Sequence, residues 1–164
     1  MNNTNDNVEK VCNFYMSDWH FTVMILPYIN KEINQNVQII TFFEKDISQK
    51  FKTLVGKLNL KNEEEILKIN WNNVDINKSI SEIENKIKNN NKNLLIINGT
   101  NDYIKNVNYK IKKEIKQNTL TEHRLKIIDC YDFNSNKEKI DSILKKYDSM
   151  LNTSGEIKIS NIIA

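Results

Sequence analysis

The chain has 164 residues, 39% of them hydrophobic and 27% charged, with 24 basic and 21 acidic side chains for a net charge of +3. This is the balance of one globular domain, and it excludes a disordered chain. It also excludes a concentrated nucleic-acid interface, since Arg124 is the single arginine and the closest basic group, Lys110, Lys112, Lys113 and Lys116, reads as a solvated helix face.

Residues 1–9 are polar and read as a flexible terminus, leaving 10–164 as one α/β domain. The terminus lacks the basic and apolar segments of a signal peptide, and the longest apolar run, Phe21 to Ile29, is far short of the roughly 20 residues that span a bilayer. A cytoplasmic protein is therefore expected. Cys12 and Cys130 fall inside predicted strands and read as free, buried thiols of a reducing compartment.

The first strand is predicted at Val11–Tyr15, followed by the polar turn Met16 to His20. A helix from about Trp19 to Asn34 is apolar on nearly every side, which predicts burial, with Pro27 interrupting it. Val37–Phe43 is β-branched and aromatic, as a doubly buried strand should be. Asp46 or Ser48 can cap a helix carrying Ile47, Phe51, Leu54, Val55 and Leu58. A third strand is expected at Ile66–Trp71. The clean stripe Ile76, Ile80, Ile83 and Ile87 then predicts a surface helix over about Asp75–Asn90.

A strand at Leu94–Asn98 closes in Gly99, where glycine would permit positive φ or a close backbone approach. A helix follows at Tyr103–Lys116, then a loop at 117–122 and a strand at Leu125–Tyr131. A last helix is expected to run to about Leu151, and Ile157–Ile159 reads as an edge strand after a turn at Gly155. Strands alternating with helices predict a three-layer α/β/α sandwich on a mostly parallel sheet of five or six strands, Rossmann-like or RecA-like without a P-loop.

The glycine-rich dinucleotide fingerprint, the P-loop, the Gly-x-Ser-x-Gly elbow and a Cys-x-x-Cys pair are all missing from the sequence, so neither a cofactor nor a metal is expected. What remains are polar and aromatic groups at predicted strand ends, which a parallel sheet brings to one edge. They are Asp18, Trp19, His20, Glu44, Trp71, Gly99, Asp102, Tyr131 and Asp132, taken together as a ligand-binding set. Each has a plainer use. Asp18 and His20 can cap or pack at a helix start, both tryptophans can be core or rim, and Asp102 suits a helix dipole. Asp129, inside an apolar strand, needs a buried partner.

The order of features resembles the MEDS domain, a sensory domain named after methanogen and methylotroph proteins, including the dichloromethane repressor. The likeness rests on Phe14-Tyr15 closing the first strand, Ile25-Leu26-Pro27-Tyr28-Ile29 in the first helix, and the β-branched strand Val37–Thr41. It continues in Ile97-Asn98-Gly99 and Cys130-Tyr131-Asp132, and spans roughly residues 10–150. Where that family often has Gly-Glu-Met, this chain has Gly99-Thr100-Asn101. The resemblance implies a RecA-like or Rossmann-like sandwich used in bacterial-type signalling, and it brings no catalytic residues. The expected function is non-enzymatic sensing or regulation, binding a small molecule or signalling protein, with a homodimer through the first helix as one route for output. The alternatives are an enzyme using an edge carboxylate such as Asp18 or Asp132 beside His20, and a pure protein-interaction module.

Overall fold

The computed structural model describes residues 7–162. Eight helices and six strands succeed one another among these residues: β1 (Val8–Tyr15), α1 (Asp18–Asn34), β2 (Gln38–Phe43), α2 (Ser48–Leu58), α3 (Glu63–Leu67), α4 (Ile76–Lys88), β3 (Lys92–Asn98), α5 (Asn101–Glu114), α6 (Gln117–Glu122), β4 (Arg124–Asp132), α7 (Phe133–Asn136), α8 (Ile140–Leu144), β5 (Ser149–Asn152) and β6 (Gly155–Lys158). The strands form one sheet in the order β2-β3-β4-β1-β5-β6, parallel throughout except for β6, which runs antiparallel to β5. Helices cover both faces, so the fold is a three-layer, Rossmann-like α/β/α sandwich.

Two cores follow from the alternation of side chains along each strand. On one face Val11, Leu94, Ile96, Ile128 and Cys130 meet α1, α2 and α3 through Phe21, Ile25, Phe51 and Ile66. On the other, Cys12, Leu95, Ile97 and Ile127 meet α4, α5 and α8 through Ile83, Ile87, Val107 and Ile143. Parallel crossovers are right-handed, so the connection from β1 back to β2 covers one face while those advancing from β3 through β4 to β5 cover the other. The chain therefore leaves β1 and β4, which are neighbours, toward opposite faces. That arrangement opens the sheet's carboxyl edge between them.

Several expectations change. The first strand begins at Val8, so only residues 1–6 of the expected flexible terminus remain, and these lie outside the described residues. Ile66–Trp71 is not a strand. Three glutamates fill the first turn of α3, where negative charge suits the helix N-terminus, and Ile66 is buried beneath α1 and α2. Residues 117–122 are helical rather than a loop. The expected last helix breaks into α7 and α8, because the Asp148 amide donates to the Lys10 carbonyl (2.9 Å) and starts β5 beside β1. Leu151 is consequently a buried strand residue. The edge strand lies at Gly155–Lys158, with Gly155 at φ 114° in the hairpin, and Ile159 begins a final 3₁₀ turn.

Helix α1 is not buried all round. Trp19 and Val23 are 44% and 43% exposed and Pro27 is exposed with them, so the backbone bond that proline cannot make falls on the solvent side and α1 continues through it. Among the described residues no helix is long and apolar enough to cross a membrane.

Candidate functional site

The carboxyl edge gathers the ends of β1, β2, β3 and β4, and direct bonds join them. The Tyr15 hydroxyl donates to Asn98 Oδ1 (2.9 Å), across the intervening β4. Glu44 Oε1 accepts from the Thr100 amide (2.7 Å), and the Glu44 amide donates to the Asn98 carbonyl (2.9 Å). Asn101 Nδ2 donates to Asn136 Oδ1 (2.7 Å), whose own Nδ2 donates to the Asp132 carbonyl (2.8 Å). Burial first, then the Cys130 thiol and the carboxylates of Asp132, Asp18 and Glu44, push the Tyr15 phenol well above its ordinary range. Three acidic residues, at the start of α1, just after β2 and at the end of β4, thus act on one hydroxyl.

Most of the residues expected to bind are held by local bonds. Ser17 caps α1, its Oγ accepting from the His20 amide (3.1 Å), while His20 Nδ1 accepts from the Met16 amide (2.9 Å). This reciprocal pair leaves the His20 ring proton on Nε2. Asp18 takes Lys50 (3.1 Å) and Lys45 (3.2 Å) on one oxygen. Asp132 caps α7, accepting from the Asn134 amide and the Ser135 hydroxyl. Asp102 is exposed in the first turn of α5.

Trp71 is buried at 3% exposure, its ring 3.8 Å from that of Phe51 and its Nε1 donating to the Ile66 carbonyl (3.0 Å). It belongs to the core beneath the edge, whereas Trp19 stands exposed on α1. Gly99 does not have positive φ; the need is space, because a Cβ there would lie 2.6 Å from Tyr103 Cδ1 and 2.8 Å from Glu44 Oε1.

Burial alone would raise the Asp18 carboxyl, yet Lys50 and Lys45 outweigh it and hold the group below its ordinary value. A lowered folded pKa stabilises the fold above the unfolded value of about 3.9 and is lost as pH falls through the folded one. Asp18→Asn should therefore cost about 1 kcal/mol at pH 7. Urea unfolding at pH 7 and pH 3 should show the gap to the parent protein closing at the lower pH.

The set of edge residues read from the sequence omits the most unusual ones. Three buried side-chain polar atoms have no hydrogen-bond partner among the described residues: Asn98 Nδ2, Tyr103 OH and Asn13 Oδ1. Asn13 and Asn98 both stand in register with Cys130, one on either side of it, and Tyr103 packs against Gly99. The available signal was a polar amide inside each of two otherwise apolar strands.

Tyr131 faces the other core. Its hydroxyl meets that of Tyr147 (2.5 Å), which donates to Asp129 Oδ2 (2.6 Å). Lys10 Nζ reaches the same oxygen (2.8 Å), and Asn108 Nδ2 donates to the other (3.0 Å). Asp129 thus finds its partners in a closed network under α5, behind the edge. Burial, then the Asp129 charge, pushes the neighbouring Cys12 thiol up to about 12, which leaves it inert as a nucleophile. Among the described residues no three His, Cys, Asp or Glu side chains are grouped to hold a metal ion.

A concavity lies at the opposite, amino edge. It encloses about 310 Å³ between the end of α1, at Glu32 and Gln35, and the starts of β1, β3 and β4, at Glu9, Lys92, Arg124 and Lys126. The chain matches no protein-family model and no curated protein.

Proposed function

We propose that the domain is a non-enzymatic sensory or regulatory module of the cytoplasm that recognises a small polar molecule at the carboxyl edge of its sheet, between β1, β3 and β4. The observation that carries this reading is the pair of buried amides on either side of Cys130 that each keep one polar atom without a partner among the described residues, Asn13 Oδ1 and Asn98 Nδ2. A buried polar atom without a partner costs roughly 1–3 kcal/mol, and a fold that keeps two on one rung of its sheet has a use for them beyond stability. The opening between β1 and β4 is where doubly wound sheets place ligands.

The MEDS likeness supports the same reading. RecA-like sandwiches carry their first strand between the fourth and fifth, as this sheet does. Output passes by protein contact, and the exposed apolar stripe Met16, Trp19 and Val23 beside the edge is suited to it.

Native mass spectrometry of freshly purified protein, followed by calorimetry against a metabolite panel, tests the proposal. Tyr15→Phe combined with Asn98→Leu removes both partners of one bond together with the unpartnered amide, so the fold should keep its stability. Affinity for a metabolite detected with the parent protein should fall at least tenfold, about 1.4 kcal/mol. Unchanged affinity in that double variant would remove the edge from consideration.

A further inference from the structure

The amino-edge cleft has a charge arrangement that stability does not explain. Lys92 and Arg124 stand directly opposite each other in the parallel register of β3 and β4. Facing like charges on adjacent strands are destabilising. Neither side chain makes a hydrogen bond or ion pair with any described residue, whereas Lys126 beside them is bound to Glu156 (2.5 Å) and to the Tyr28 hydroxyl (2.9 Å).

The backbone under the two cations is fixed. The Arg124 amide donates to the Asn91 carbonyl (2.8 Å), and the buried Asn93 side chain ties the Asn90 and Arg124 carbonyls together (3.1 and 3.2 Å). Across the cleft the sign reverses. Glu32 lies in the last turn of α1, where the helix dipole presents partial negative charge, whereas Glu9, on β1 in register with Lys126, stands beside the cations with its carboxylate 4.0 Å from Lys126 Nζ. Burial pushes the Glu9 carboxyl up, Lys126 and Arg124 draw it back, and Glu156 and Asp148 add to the rise.

From the paired cations on the sheet wall, neither held by a direct bond to a described residue, and the Glu32 carboxylate at the carbonyl end of α1 on the other, we infer that this cleft binds a small zwitterion of the α-amino-acid type. Its carboxylate lies against Arg124 and Lys92, and its ammonium lies toward Glu32 and the carbonyl end of α1. A cleft of about 310 Å³ is at the lower end of ligand-site sizes, as a molecule of that class requires. Arg124, the one arginine in the chain, has the planar fork that a carboxylate fits.

Calorimetry and ligand-observed NMR with each common L-α-amino acid, and with acetate, methylammonium and inorganic phosphate as single-charge probes, decide the matter. At least one amino acid should bind with a sub-millimolar Kd while the single-charge probes do not. Arg124→Gln and Glu32→Gln should each weaken it tenfold or more. The Tyr15→Phe, Asn98→Leu double variant should leave it unchanged, which separates this cleft from the carboxyl edge. The inference falls if no amino acid binds at 10 mM, if either charge-removing variant binds as the parent does, or if acetate or phosphate binds as well as the amino acids.

Discussion

Replacing Asp129 by alanine should cost about 3–5 kcal/mol, because it breaks a buried ion pair from one side. The carboxylate is 2% exposed and serves Lys10, Tyr147 and Asn108 at once. Its removal leaves the Lys10 ammonium, whose side chain is 28% exposed, facing the Tyr147 ring and Asn108 without a countercharge. Two tyrosine hydroxyls would then have only each other. A pair that costs much to break need not contribute much when intact, since desolvating both charges offsets most of their attraction. Lys10→Met combined with Asp129→Leu should therefore recover most of the loss. Urea unfolding decides it: a fall in midpoint at constant slope for Asp129→Ala, largely reversed in the double variant. A loss below about 1 kcal/mol for the single variant would mean that the network is loosely held and wet.

The fold was legible wherever one period ruled a segment. The stripe Ile76, Ile80, Ile83 and Ile87 could belong only to a surface helix, and α4 lies there. The apolar runs at Leu94–Asn98 and Leu125–Tyr131 could be covered only as central strands, and they became β3 and β4. The reading failed where two patterns overlapped. Ile66, Ile69 and Trp71 look strand-like, but three preceding glutamates and the packing of Ile66 under α1 decide for a helix and an irregular tail. Ile140, Ile143, Leu144 and Tyr147 fit one helical stripe, yet Tyr147 is drawn to Asp129 and Asp148 to Lys10, contacts from distant strands that a local pattern cannot contain.

The edge itself was legible because parallel strands must end together. The duties of its side chains were not. A capping bond such as that of Asp132 and a ligand bond draw on the same residue types, and only coordinates tell Ser17, His20 and Asp18 in their local bonds from Asn98, whose Nδ2 has no partner among the described residues.

Trp71→Ala should cost about 3–5 kcal/mol, enough to lower Tm by roughly 10 °C in a domain of this size. The indole lies between Phe51, its ring centroid 3.8 Å away, and Phe43 at 5.7 Å, so truncation opens a cavity lined by two large rings that have no neighbour to follow. It also removes the indole N–H from the Ile66 carbonyl at the end of α3, leaving that carbonyl its backbone donors such as the Ile69 amide (3.2 Å). Trp71→Phe keeps the stacking and loses only that bond, so it should cost about 1–2 kcal/mol. The two losses differ because one removes contact area and the other a single donor. Fluorescence checks the burial on which both rest: in Trp19→Phe the remaining emission should be blue-shifted and protected from a soluble quencher until the fold melts. A red, freely quenched signal from Trp71 would place that ring at the surface and return it to the set of residues able to meet a ligand directly.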